Sequence, residues 1–288
     1  MRNWVVGAAA VLAIQAIPAR ADTDPWSGAP LPPDKARPIP SPITDHFSVR
    51  GTFFDPAFST TLRVDGTSPG PGLPNIPGTV VNGEKDLGLP GRKPQGRIEI
   101  MFRLRERNRL RVDYFETDRS ANRTLSRQVQ FGNDLFDVGD EASTSLDYRM
   151  FGLTYTYSFV RTSHFEVGAG LAVHFVEADA QGAVVARQLR DEVSGAGAFP
   201  TIPLDATWLI SKRFALTARG QYFHLANRTF AGELADFHSD LQYRWKPNFT
   251  VGAGYTWMKV FLELNQATFP GEYKLLIRGP EAFFKVSF

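Results

Sequence analysis

Between residues 96 and 115 charge and hydrophobicity change places at every step. Ile98, Ile100, Phe102 and Leu104 hold one parity while Arg97, Glu99, Arg103 and Arg105 hold the other. After Arg107 and Asn108 the pattern resumes, with Leu110, Val112 and Tyr114 set against Arg109, Arg111 and Asp113. Successive side chains of a strand point to opposite faces, whereas a helix would spread these arginines round its circumference. The stretch therefore predicts a β-hairpin with one greasy and one charged face. A charged face could simply look at water, so the ends of the chain decide what the greasy one meets.

At the N-terminus, Arg2 precedes an apolar run over 5–17, then Pro18 and the small-x-small triplet Ala19-Arg20-Ala21. This is the layout of a secretory signal peptide, 1–21, cleaved after Ala21. Beyond it no window approaches 18 consecutive apolar residues, so no helix is predicted to span a bilayer. With no cysteine there is no disulfide framework and no thiolate metal site. The 32 basic and 30 acidic residues leave a net charge of +2, which argues for neither nucleic acid nor an acidic partner. The remaining way across a membrane is a closed barrel, because closure satisfies every backbone amide and carbonyl in hydrocarbon. Residues 22–44 carry seven prolines and are expected to form an extended periplasmic linker. The barrel is assigned to 45–288.

From His46 onward the alternation marks ten strand-like segments, the first broken near Pro56 and the last running into Phe288. Short connections near 107–108, 160–163, 211–213 and 246–248 alternate with long ones over 66–95, 119–143, 179–199, 226–236 and 265–271. The predicted fold class is all-β: a closed antiparallel up-and-down transmembrane barrel of about ten strands, eight or twelve if a hairpin is merged or split. Both chain ends then lie beside the short turns, in the periplasm, and the long loops lie outside. Reflection about the short turns pairs Phe159 with Phe165, Trp208 with Leu216 and Trp245 with Phe249. Together with Phe214, Phe284 and Phe288, the aromatics of these pairs form an expected membrane girdle at the periplasmic interface.

The opposite parity collects Arg50, Glu99, Arg103, Arg105, Arg111, Asp113, Glu166, Asp205, Arg219 and Arg244, the expected lumen charge network. Asp205 falls across from Arg219 and is expected to pair with it. A ten-stranded barrel is little wider than the eight-stranded kind filled by its own side chains, so a salt-bridged lumen with little or no continuous channel is expected. The alternative is a narrow pore for small solutes, favouring anions because six arginines of this set face four acids. A hydrolytic site would need a histidine oriented by a carboxylate near the outer rim. His174 and His224, with Asp179 and Glu233 nearby, and His238, with Asp236 and Asp240, are the candidates. They are expected to be histidines without chemistry, and no catalytic residue, metal ligand or cofactor is assigned. Gly252-Ala253-Gly254 is not a phosphate loop, since no helix follows.

The cleavable leader, the alternating strands, the 249–257 strand with its Val-Gly-Ala-Gly-Tyr core and the terminal Phe288 resemble small Gram-negative outer-membrane β-barrels of the OmpA, OmpX and OmpW type. Ala282, Phe284, Val286 and Phe288 look like the terminal-strand signal that the barrel assembly machinery recognises. The resemblance implies the bacterial outer membrane after export and signal cleavage, with outer-membrane lipids and the assembly machinery as partners. An extracellular ligand would be met by the long loops, and no nucleic acid is implied. Members serve as structural barrels, adhesins or narrow channels. Some other outer-membrane barrels are proteases or lipid A-modifying enzymes. The expected role is a structural or surface-interacting barrel, with a small-solute pore second and an enzyme third.

Overall fold

A computed structural model describes residues 41–288, except 69, 71–74, 185, 187, 228–229 and 267–268. The predicted signal peptide and most of the proline-rich linker lie outside the described residues. Fourteen strands follow in chain order: β1 Phe47–Phe54, β2 Ala57–Val64, β3 Val81–Asn82, β4 Gln95–Arg105, β5 Asn108–Thr124, β6 Val129–Phe131, β7 Asp134–Phe136, β8 Glu141–Arg161, β9 Phe165–Val184, β10 Leu189–Leu209, β11 Phe214–Ala226, β12 Phe230–Lys246, β13 Phe249–Gln266 and β14 Phe269–Ser287. β1 and β2 are one stave interrupted at Asp55-Pro56, both pairing with β14. Proline brings no amide proton to a ladder, and the break falls there. Every other stave pairs with its sequence neighbour, and β1 against β14 closes a ten-stave antiparallel barrel. The ten predicted strands and their order hold.

The long connections differ from expectation. β8, β9 and β10 run for 21, 20 and 21 residues, so most of 119–143 and 179–199 is strand rather than loop. A membrane-crossing strand needs only about 9–11 residues. The barrel therefore rises well beyond the bilayer, and the reason it reads as loop is visible in its side chains.

Within the apolar belt the outward residues are Phe151, Leu153, Tyr155 and Tyr157 on β8, and Phe165, Leu171 and Phe175 on β9, all exposed. One step higher the outward positions become Glu116, Arg149 and Glu177, which lie side by side on β5, β8 and β9. At the same height the inward positions change the other way. Asp113 gives way to Phe115, Gly152 to Met150, His174 to Val176 and Asp236 to Leu234, and the upper residue of each pair is buried. Polarity thus turns inside out: ions within and oil outside across the membrane, oil within and ions outside above it. Belt stretches 151–159 and 249–257 span nine residues and 165–175 eleven, the length a tilted crossing strand needs.

The upper chamber is packed. Phe54, Phe115, Tyr148, Met150, Phe199 and Leu234 are among its buried core residues. A second cluster, including Leu62, Val81, Leu87, Leu125, Phe131 and Phe136, ties the β6–β7 hairpin and the segment around β3 to the barrel. β4 starts only at Gln95, so between β2 and the upper half of β5 the wall is completed by residues 75–94 instead of a strand.

Two predicted registers need correction. β-Bulges at Ser158/Val160 and Arg244/Lys246 shift the pairing, so Phe165 faces Trp208 and Phe249 faces Lys246 and Val286. Each bulge sets two residues against one and leaves Phe159 and Trp245 exposed on the outer face. Trp208 does pair with Leu216.

The inversion predicts opposite responses to one substitution. Leu204→Arg, on the lipid side at mid-belt, should cost about 2–4 kcal/mol in urea-unfolding experiments on vesicle-folded protein. Ser59→Arg, on the same outer face of β2 but above the belt, should stay within about 0.5 kcal/mol of the parent. Equal penalties at the two positions would remove the proposed boundary.

Candidate functional site

The charged half of the lumen is built in layers from the end that carries the short turns. Residues 41–45 form a turn in which the amides of Thr44 and Asp45 both donate to the carbonyl of Ser41 at 2.9 Å. Arg244 Nη2 reaches Asp45 Oδ2 at 2.7 Å, and Arg103 Nε donates to the Asp45 carbonyl at 3.1 Å. Arg103 Nη2 reaches the carbonyl of Pro42 at 3.4 Å, and Arg161 Nη2 that of Ile43, itself buried, at 3.2 Å. The end of the linker, expected in a free tail, is thus part of the lumen floor. Deeper in, Arg103 and Glu166 form a fully buried bidentate pair at 2.7 and 3.0 Å, with Ser158 Oγ donating to the same carboxylate at 2.6 Å.

The next layer crosses the barrel. Arg50 donates to Asp240 at 2.9 Å and to Glu281 at 2.7 Å, while its guanidinium stacks 3.6 Å above the Phe283 ring. Arg219 pairs with Glu99. Arg111 lies 3.6 Å from Glu99 and 3.5 Å from Asp205, whose Oδ2 is 2.9 Å from Arg109 Nη2. Asp205 and Arg219 are register partners, as predicted, yet their side chains choose partners across the lumen. A long guanidinium reaches an opposing stave as readily as its neighbour, and a carboxylate shared by Arg109 and Arg111 is better compensated than one with a single partner.

The uppermost layer joins Arg97 to Asp236 at 3.3 Å and Asp113 at 3.9 Å, with His238 bonded to Arg97, Asp236 and Glu281. His174 is fully buried and pairs with Gln221 at 2.7 Å, which also accepts from Thr201 at 3.0 Å. Neither histidine is at the rim. Both sit in the lumen below the apolar chamber, while His224 is exposed on β11. Two small cavities, about 60 and 10 Å³, lie among these layers. At roughly 10–15 Å³ per water they are pockets, too small to be a channel.

Nine of the ten predicted network residues face this interior. The exception is Arg105, which lies past a bulge at Arg103/Arg105 and is exposed beside the turn. Missing from the predicted set were Arg97, Arg109, Asp236, Asp240, Glu281 and Lys285, although each shares the inward parity of its strand. Asp45 carried no such signal, because it precedes the first strand. The aromatics Phe159, Phe165, Trp208, Phe214, Trp245, Phe284 and Phe288 are exposed on the outer face, and Phe249 stacks on Phe284 at 5.7 Å. Ala282, Phe284 and Val286 alternate outward along β14, opposite Glu281, Phe283, Lys285 and Ser287, and Phe288, just past its end, is exposed.

No protein-family model matches the chain, and no curated protein matches its sequence. Solved structures of similar outline include the outer-membrane protease OmpT from Escherichia coli, at 12% identity and TM-score 0.46 over 84% of this chain and 97% of that one. Ail, the attachment invasion locus protein of Yersinia pestis, is similar at 8% identity and TM-score 0.34, covering 83% of this chain and 99% of its own. The toluene transporter TodX of P. putida is similar at 8% and 0.32, over 87% and 93% of the two chains. The likeness is one of general outline, and what those proteins cleave or carry is not transferred to this chain.

Proposed function

We propose that the chain is a non-conducting barrel of the bacterial outer membrane that works through the wall it raises above the bilayer. The observation that carries this reading is the reversal of polarity along one continuous barrel. Across the belt the lumen is filled by paired ions, and above it by an apolar core. A solute would have to part the first and then dissolve in the second. The raised wall, in contrast, faces water and carries patterned charge. Arg149 bridges Glu116 at 3.4 Å and Glu177 at 3.3 Å, while Asp118, Asp147 and Asp179 align on the same three strands. Val80, Leu135 and Val138 are exposed on the capping segments. Such a surface suits a structural or surface-interacting role better than passage.

The reading includes export through the predicted signal peptide, assembly through the terminal strand ending at Phe288, and lipid contact through the aromatic girdle. It also makes the barrel non-enzymatic: His238 and Asp236 are enclosed under Phe115, Met150 and Leu234, where a macromolecular or lipid substrate has no approach.

In planar bilayers the folded protein should give a flat trace at every voltage tested, and reproducible unitary steps would overturn the reading. Removing one partner of a buried pair leaves an uncompensated ion. Glu166→Leu should therefore lose about 3–5 kcal/mol of unfolding free energy, and the double variant Arg103→Met/Glu166→Leu should recover most of it. Urea titrations of the three proteins in the same vesicles check this.

A further inference from the structure

The apolar chamber thins toward its outer end. A cavity of about 40 Å³ lies there between Leu62, Val64, Leu146, Ala178, Ala180 and Leu262. A second, of about 30 Å³, adjoins it, sharing Leu62, Leu146 and Ala180 and reaching Val81, Phe131 and Phe136. Carbon makes up almost all of both walls. The charged residues bordering the first, Arg63, Asp179 and Glu272, hold the outward parity of their strands, where Arg63 pairs with Asp65 at 3.1 Å and faces Glu272 at 3.9 Å. Glycines keep the space open. Gly195 lines the first cavity, and a Cβ added there would meet nothing within 4 Å. At Gly182, in the second, it would meet only Phe131 and Phe136, no nearer than an ordinary contact of 3.8 Å. Neither glycine has a positive φ. Those of the charged half differ, because a Cβ at Gly168, Gly170 or Gly254 would run into backbone or side chains of the neighbouring staves. A strand glycine that neither its backbone nor its neighbours require marks a place that something else approaches.

One polar group interrupts this wall. Tyr273 lines the first cavity, and its hydroxyl is buried without a hydrogen-bond partner among the described residues. We propose that the two cavities together bind one small apolar molecule carrying a single hydrogen-bond-accepting oxygen, of the ketone or ester class, with Tyr273 as the donor. Water is a poor occupant here. A held water needs two to four polar partners, and this wall offers one hydroxyl amid carbon. An apolar molecule instead takes both itself and the wall out of water, and its oxygen gives the one proton of the hydroxyl an acceptor. At roughly 10–15 Å³ per water the two cavities have room for about five to seven waters, the bulk of a chain of about six or seven non-hydrogen atoms. Val64 ends β2, and Gly271, also at the cavity, lies near the start of β14, so the site is at the outer end of the barrel. The inference goes beyond the proposed role and does not depend on it, since the ionic layers remain beneath a ligand held here.

Methyl NMR of the full chain, folded in lipid nanodiscs and titrated with 2-hexanone isotopically labelled at its carbonyl carbon, tests it, with folding of every variant checked by unheated gel mobility. Shifts at Leu62, Leu146 and Ala180 should saturate, reaching half their extent below about 10 mM ketone. Those at Leu171 and Leu204, exposed on the lipid side, should follow partition into the bilayer without saturating. The carbonyl carbon of bound ketone should resonate downfield of lipid-dissolved ketone, as a hydrogen-bonded one does. Gly195→Leu fills the first cavity and should weaken binding about tenfold or more. Tyr273→Phe should weaken it about fivefold, the loss of one neutral hydrogen bond, and return the carbonyl signal to its lipid position. If Gly195→Leu does not fold, the carbonyl signal in Tyr273→Phe decides the matter. Shifts at the cavity methyls that fail to saturate, binding undiminished in folded Gly195→Leu, or a downfield carbonyl signal that survives Tyr273→Phe would overturn the proposal. None of these outcomes bears on the flat bilayer trace expected of the barrel.

Discussion

Once antiparallel strands close on themselves, each side chain has two directions available, and the medium outside fixes what must go inside. Across the belt that medium is hydrocarbon, where each unpaired backbone group costs several kcal/mol and each outward cation about 2–4 kcal/mol at the midplane. Strand pairing runs through the belt there: β4 is bonded to β1 on one side and β5 on the other. Among the described residues, a loop segment replaces a strand in the wall higher up, between β2 and the upper part of β5. In that region Phe58 donates to Gly91, Gly83 donates to Thr60, and Arg119 reaches Glu84 and Thr60. A loop can replace a strand where water is at hand, and here it does so above the belt.

Forcing ions inward creates a second problem, that of fitting long charged side chains into a narrow tube. Glycine answers part of it. A side chain at Gly168 would press on Arg109, and one at Gly252 would run into the Phe283 ring on which Arg50 rests. The small residues of β9 and β13 thus make room on the inner face for guanidinium groups arriving from other staves. The resulting network contributes less to net stability than its number of pairs suggests, since each ion gives up its hydration. Its stronger effect is on geometry. Arg50 satisfied at once by Asp240, Glu281 and Thr52 fixes the relation of β1 to β12 and β14 with little freedom to slip.

The belt and its lumen were legible from sequence because there the two faces differ as sharply as side chains allow. Above the belt the contrast inverts and softens: Ser143, Thr144 and Ser145 on β8, or Ala178, Ala180 and Gly182 on β9, alternate without an apolar side to follow. Alternation read as oil against charge stops at the membrane boundary, while the strand goes on. Likewise the Asp205–Arg219 register was visible and their actual partners were not, because period two tells which face a residue occupies and nothing about which opposing stave its side chain reaches. Asp45 and Pro42 were invisible for a different reason. They belong to no strand, and their place comes from the arginines that hold them.

These constraints also bear on what such a molecule can do. A lumen that is ionic below and apolar above has no single solvent that wets it from end to end, and on this ground rests the proposal that neither water nor a greasy solute passes. The two halves remain separately usable: the lower one as a polar compartment, the upper one as a rigid core that holds a charged outer wall upright. A porin holds its lumen open to water throughout and keeps its outer loops secondary. Here the reversal at the outer membrane boundary fills both compartments, and the surface left free to meet other molecules is the one lifted clear of the lipid.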